Sequence, residues 1–156
     1  MPRIRSALPA NHGRLLRIWL NSVRATHHFL TEADIQSLLP EVLDVALPNL
    51  EEILILCDDD DVTVGFMGLH GPSLEALFID PSYFRRGGGR LLVEHARHLK
   101  GALVVSVNEQ NPEALKFYCA LGFEVSGRSP VDDGGRAFPL LHMRDTTITD
   151  GVVKAH

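Results

Sequence analysis

In the stretch "FIDPSYFRRGGGRLLVEHA", Phe78 to Ala96, the glycines Gly87, Gly88 and Gly89 follow two arginines and open what reads as a helix. Three glycines there lower helix stability by about 2–3 kcal/mol relative to three alanines. A glycine turn at the C-terminal end of a strand collects several N–H groups on one small concave surface, at the positive end of the helix. That surface suits phosphate oxygens, and the missing side chains let a ligand approach the backbone. Arg85, Arg86 and Arg90 add positive charge at the same point. A tight turn with no ligand also uses glycine, although one normally suffices. Two common phosphate sites are excluded by the residues themselves. No Lys-Ser or Lys-Thr follows the glycines, as a P-loop requires, and Leu92 stands where a dinucleotide fingerprint needs its third glycine.

The elements that must position this turn follow from periodicity. Ser73–Asp80 reads as a strand, Arg90–Lys100 as a helix, and Ala102–Asn108 as a continuous apolar strand. Strand, glycine turn, helix and strand make a right-handed crossover between parallel strands. Upstream, Glu51–Cys57 and Val62–His70 are strands, and the pair Gly71-Pro72 joins the second of them to Ser73–Asp80. A first strand falls near Arg3–Ala7. Leu15, Leu16, Ile18, Trp19, Leu20 and Val23 recur at helical spacing after Pro9. "TEAD", Thr31–Asp34, caps a second helical region broken near Pro40 and Pro48. Asn111–Phe123 is a helix with Pro112 near its start and Gly122 at its end. Strands near Glu124–Ser129 and Arg136–Arg144 follow, and a loose polar tail occupies 145–156. The class is α/β: a mixed sheet of about seven strands with about four helices in a single domain, 1–144.

Bulk properties narrow the functions. The 156 residues suit one soluble domain, with 45% hydrophobic and 22% charged residues. A net charge of −5 argues against a general nucleic-acid or anionic-membrane binder, so a phosphate site must be local. No apolar run reaches the ~20 residues of a membrane helix, and "MPRIRSALPA" lacks a signal-peptide core. The expected location is the cytoplasm. Cys57 and Cys119 have neither metal-ligand nor disulfide spacing and read as reduced packing residues. The acidic run Asp58–Asp61 lacks the alternation of a calcium loop and reads as a solvated hairpin tip, so no metal is expected.

"IDPSYFRRGGGRLL" followed by "NEQNPEALKFYCALGF" resembles the GNAT superfamily of N-acetyltransferases, which bind acetyl coenzyme A. The stretches "SVRATHHFL", "VGFMGL", "ALFIDP", "VNEQN" and "FPLL" extend the likeness to its bacterial YjaB-type branch, from about Ile4 to Met143. One signature residue departs. In the register that places Gly87 and Gly89 on the family's two small positions, Phe84 stands where the signature has Gln or Arg. The resemblance implies a GNAT fold with a splayed pair of parallel strands at the cofactor. It implies main-chain contacts to pantetheine from Leu77, Phe78 and Ile79, and a cofactor hydrogen bond from Asn111, which also suits a helix N-cap before Pro112. It further places Tyr118 beside the thioester sulfur.

Acetyl transfer sets chemical demands against which these residues can be matched. A tyrosine of ordinary pKa about 10 is protonated at neutral pH, so Tyr118 can donate to a thiolate leaving group. A lysine-like amine is neutral only about once in 2500 molecules at pH 7, an obstacle of roughly 4–5 kcal/mol, so a base would help. Glu75 leads, because it lies amid apolar residues on the strand to the cofactor, where burial would make it a better base; a solvent-facing position is equally compatible. His70, His27 and Glu109 follow, and His27 and His28 lie where the family builds its acceptor pocket. Cys119 has no histidine activator nearby in sequence, which argues for direct transfer from acetyl-CoA to a protein lysine, peptide or small amine. Two rivals use the same fold: an acyl-CoA-binding sensor with little turnover, and an interaction domain with no ligand. Monomer and homodimer are both open.

Overall fold

The computed structural model describes residues 1–149 and 152–153. Seven strands form one mixed sheet in the order β1-β2-β3-β4-β5-β7-β6, and a two-stranded ribbon, β8-β9, follows. The strands are β1 (Arg3–Ser6), β2 (Glu52–Cys57), β3 (Thr63–His70), β4 (Ser73–Ile79), β5 (Val104–Asn108), β6 (Phe123–Ser129), β7 (Leu140–Asp145), β8 (Ile148–Thr149) and β9 (Val152–Val153). Four helices of nine or more residues are α1 (His12–Thr26), α2 (Glu32–Glu41), α4 (Gly88–Lys100) and α5 (Pro112–Ala120); α3 (Leu47–Asn49) is a single turn. Among the described residues no helix is long and apolar enough to cross a membrane. The chain forms two compact units, one of Met1–Gly71 with Glu75–Glu94 and one of Pro72–Leu74 with His95 onward.

In the first unit α1 buries Leu15, Ile18, Trp19 and Val23, a stripe one helical face wide. The stripe packs with Ile35, Leu47, Ile55, Cys57 and Phe66, while Ala76 and Phe78 of β4 lie half-buried against the same cluster. Thr31 caps α2 reciprocally: its Oγ1 accepts from the Asp34 N–H at 3.1 Å, and Asp34 accepts from the Thr31 N–H at 2.9 Å. The sequence reading breaks this region near Pro40. Instead the chain stays helical to Asn49, widened into a π-turn over Val42–Ala46. Pro48 lacks the N–H for an ordinary helical bond and its ring crowds the carbonyl of Asp44, which lies inside the wider turn. Asp58–Asp61 is the β2–β3 turn, in which Asp58 Oδ1 accepts from the N–H groups of Asp60 and Val62, both at 2.9 Å.

In the second unit β4 runs parallel to β5 for two residue pairs, Ser73↔Val104 and Leu74↔Val105. β5 is antiparallel to β7 along Val104–Asn108, and β7 carries β6 at the outer edge. β7 starts at Leu140 rather than Arg136, because Asp132 Oδ1 accepts from the Gly134 and Arg136 N–H groups and folds that segment into a turn.

The ordered chain also continues past Arg144, where the sequence reading begins a loose tail. Asp145 is 8% exposed and pairs with Arg97 at 2.8 Å. Arg97 also donates to the Leu121 carbonyl and lies 5.1 Å over the Phe123 ring. Thr146 and Thr147 are held by the Gly122 carbonyl and Asp145 respectively. Residues 150, 151 and 154–156 of that tail lie outside the described residues. Removing one partner of a buried ion pair strands the other charge, so Asp145→Ala should lower stability by about 3–5 kcal/mol in urea unfolding. An unchanged midpoint would show that Arg97 finds water instead.

Candidate functional site

The segment from β4 into α4 is anchored by a buried carboxylate. Asp80, 7% exposed, accepts from the Ser82 N–H at 3.1 Å, the Ser82 hydroxyl at 2.5 Å and Asn21 Nδ2 at 3.3 Å. Burial alone would push this carboxyl up, but the bonds from Ser82 and Asn21, with the charge of Arg14, together hold it below the usual carboxylate range. A short 3₁₀ turn, Pro81–Tyr83, follows, and then Phe84, half-buried at the position where the family signature has Gln or Arg.

The three glycines have different jobs. Gly87 has φ +76°, in the left-handed region, and two residues earlier Arg85 has φ +63°. For a side-chain-bearing residue that conformation costs of order 1–3 kcal/mol, so surrounding structure must impose it. Gly88 is buried instead. A Cβ there would lie 2.9 Å from Leu56 Cδ2 and 3.3 Å from Ile79 Cδ1, so its missing side chain lets the start of α4 sit close to the strands. This differs from the sequence reading, in which all three glycines clear space for a ligand. Gly89 is half-buried.

The first bond of α4 runs from the Leu91 N–H to the Gly87 carbonyl at 3.0 Å, so the N–H groups of Gly88, Gly89 and Arg90 have no acceptor one helical turn back. Arg85, Arg86 and Arg90 are exposed, and Arg86 lies 5.3 Å over the Tyr83 ring. No acidic residue stands in the first turn of α4. Unpaired amides, a helix N-terminus and three cations make a donor set that fits a diphosphate.

On β4, Leu77, Phe78 and Ile79 are half-buried. Phe78 meets Phe66 at 5.7 Å between ring centroids and His27 at 6.5 Å, whereas Ile79 turns toward Gly88. Alternation therefore puts Glu75, Leu77 and Ile79 on the Gly88 side. Glu75 is exposed, not buried among the apolar residues that surround it in the sequence.

His27 ends α1 half-buried, with Nδ1 2.8 Å from Thr26 Oγ1 and its ring 5.4 Å from that of Phe29. Burial, with the charge of His28 second, pushes its pKa down to about 4. His70 is not brought to these residues. It is exposed at the other end of β4 from the glycines, where Nδ1 lies 3.8 Å from Glu51 and the turn into β4 begins. With about 3.3 Å per strand residue, the seven residues of β4 put roughly 20 Å between those ends.

In the second unit Asn111 is 8% exposed and is the N-cap of α5, its Oδ1 accepting from the Ala114 N–H at 3.2 Å. Tyr118, 6% exposed, meets Phe117 and Phe123 edge-on at 5.0 and 5.4 Å. Burial raises its phenol above the ordinary value, so it is a donor and not a base. Glu109 is taken up by Arg128 at 2.5 Å, whose hydrogen bond holds its carboxyl below the usual range against a smaller effect of burial. Cys119 is exposed.

Two features escaped the sequence reading. Asn108 Oδ1 is buried without a hydrogen-bond partner. His142 stands between two hydroxyls, Ser106 at 2.7 Å and Ser129 at 2.6 Å. Only the alternation of "VVSVN", which turns Ser106 away from the buried Val105 and Val107, hints at that cluster.

Residues 50–125 match the family model of the acetyltransferase (GNAT) domain. The chain is 43% identical over 143 residues to the peptidyl-lysine N-acetyltransferase YjaB of Salmonella typhimurium, spanning 92% of this chain and 97% of that protein. It is 44% identical over 129 residues to the Escherichia coli protein of the same name, spanning 83% and 86%. The solution structure of apo-form YjaB from Escherichia coli superposes with a TM-score of 0.86 at 40% identity, covering 94% and 98% of the two chains. The PaiA N-acetyltransferase of Thermoplasma acidophilum, solved in complex with coenzyme A, shares the fold at TM-score 0.73 and 20% identity, covering 93% and 98%.

The depressed pKa of His27 links folding to pH. Between about 4 in the folded chain and 6.5 unfolded, the unfolded state binds the extra proton. Its contribution is therefore whole above pH 6.5, is lost as pH falls toward 4, and amounts to at most about 3 kcal/mol. Urea unfolding of wild type and His27→Gln from pH 4 to 7 should give stability curves that diverge over this window. Parallel curves would mean that His27 titrates normally.

Proposed function

Because the chain belongs to the GNAT family of acetyltransferases, we propose that it is an N-acetyltransferase moving acetyl from acetyl-CoA directly to the side-chain amine of a peptidyl lysine. The observation that carries this reading is the run of N–H groups at Gly88, Gly89 and Arg90, without helical acceptors, directly after the last turn from β4. These amides would hold the coenzyme's diphosphate, with Arg85, Arg86 and Arg90 supplying charge. Main-chain groups of Leu77, Phe78 and Ile79 would bond the pantetheine amides. Asn111, with Oδ1 engaged as the cap, has Nδ2 left to donate to the coenzyme.

In the transfer, the lysine nitrogen attacks the thioester carbonyl. The C–N bond forms, the C–S bond breaks, and the proton from nitrogen leaves to water. Tyr118 would act on the departing sulfur. Its phenol is held above an ordinary tyrosine by burial, hence above a thiol, so it stabilises the thiolate by donating a hydrogen bond while keeping its proton. The lysine acceptor is supported by the activity named for the YjaB relatives. Phe84, in place of the signature Gln or Arg, favours one rival, a sensor that holds acyl-CoA with little turnover.

Thiol release from acetyl-CoA in the presence of lysine peptides separates the two readings: steady turnover supports transfer, and tight binding without turnover supports the sensor. In the same assay Tyr118→Phe should lower kcat by about 100-fold while the acetyl-CoA Kd stays within about threefold. Full activity in that variant would remove Tyr118 from the mechanism. Gly89→Val should abolish acetyl-CoA binding by calorimetry, whereas unaltered heat would place the diphosphate elsewhere.

A further inference from the structure

His27 has a hydrogen-bonding pattern that acetyl-CoA binding does not require. Thr26 Oγ1 carries one hydrogen and lies 2.8 Å from the Ser22 carbonyl one turn back, which can only accept. The same oxygen lies 2.8 Å from His27 Nδ1. With its hydrogen given to Ser22, Oγ1 meets Nδ1 as an acceptor. The network therefore places the imidazole proton on Nδ1 and leaves the lone pair on Nε2.

The ring carrying that lone pair is half-buried beside two phenyl rings, Phe29 at 5.4 Å and Phe78 at 6.5 Å. Phe78 belongs to β4, the strand assigned above to pantetheine. The same apolar surroundings keep the imidazole neutral at pH 7. An anion finds no donor at Nε2. An alkyl amine finds three complementary features: apolar rings for its methylenes, an environment that disfavours the charged form, and a lone pair that accepts one N–H. Accepting from that N–H leaves the nitrogen lone pair directed elsewhere, as attack on a thioester requires.

We propose that His27 Nε2 receives the amine of the incoming lysine, that Phe29 and Phe78 flank its aliphatic stem, and that Thr26 is a positioning residue fixing the Nδ1–H tautomer. This rests on the acetyl-transfer reading above. It gives part of the answer to the amine's ionisation, since the apolar box that discharges His27 also favours a neutral lysine.

The test combines kinetics on a lysine peptide with nitrogen-15 spectra of the histidine rings in the full-length protein. His27→Phe should lower kcat/KM by about 5- to 10-fold, as loss of a hydrogen bond between neutral groups does, with the acetyl-CoA Kd unchanged. His27→Gln, which returns an acceptor oxygen near Nε2, should recover part of that loss. Thr26→Val should lower kcat/KM by several-fold and release the tautomer, a spectral change that a merely structural role would not produce. Wild-type spectra should show His27 protonated on Nδ1; protonation on Nε2 would overturn the inference, as would a His27→Phe enzyme within threefold of wild type. Those results would leave acetyl transfer standing, whereas a wild type that acetylates no amine would overturn both. Should His27→Phe fail to fold, the Gln variant and the wild-type spectra decide the matter.

Discussion

The helix α4 begins with three backbone N–H groups that no helical carbonyl can reach, and the rest of the structure around them keeps them presentable. Asp80 fixes the turn that delivers the chain from β4, using three hydrogen bonds to keep a buried carboxylate charged. Arg85 and Gly87 reverse the backbone in left-handed conformations, and Gly88 lets the first turn settle against Leu56 and Ile79. A carboxylate in the first turn would fill the positive end of the helix, and none is there. The arrangement is a fixed, positively polarised donor set attached to the end of a strand.

Burial sets the protonation of the two groups assigned to the chemistry. Tyr118 is buried and meets Phe117 and Phe123 edge-on, and its burial keeps its proton in place and makes it a donor at any physiological pH. His27 lies beside Phe29 and Phe78, which keeps it unprotonated and makes it an acceptor. The carboxylates that ordinarily come to mind as bases are worse placed. Glu75 is exposed and Glu109 is engaged by Arg128. The proposed reaction therefore relies on desolvation and hydrogen-bond direction more than on a strong base.

Much of this was legible in the residues. "TEAD" announced the cap at Thr31, the continuous apolar run of "ALVVSVN" marked β5, and the glycines after two arginines marked the loop, because each depends on neighbours within a few positions. What depended on distant partners was not. Gly88 reads like Gly87 until Leu56 and Ile79 are brought against it. Asp145 reads as the start of a polar tail until Arg97, 48 positions earlier, pairs with it. Glu75 sits among apolar residues in sequence, yet alternation and the sheet turn it to solvent. The His27 tautomer needs Ser22, Thr26 and a ring on β4 together, which no spacing rule encodes.

If these three amides hold a coenzyme diphosphate, their chemical shifts report its binding directly. Titration of coenzyme A into the nitrogen-15-labelled protein should move the Gly88, Gly89 and Arg90 resonances saturably, and by more than those of β1 or the Asp58–Asp61 turn. Binding that leaves those three resonances in place would contradict the account.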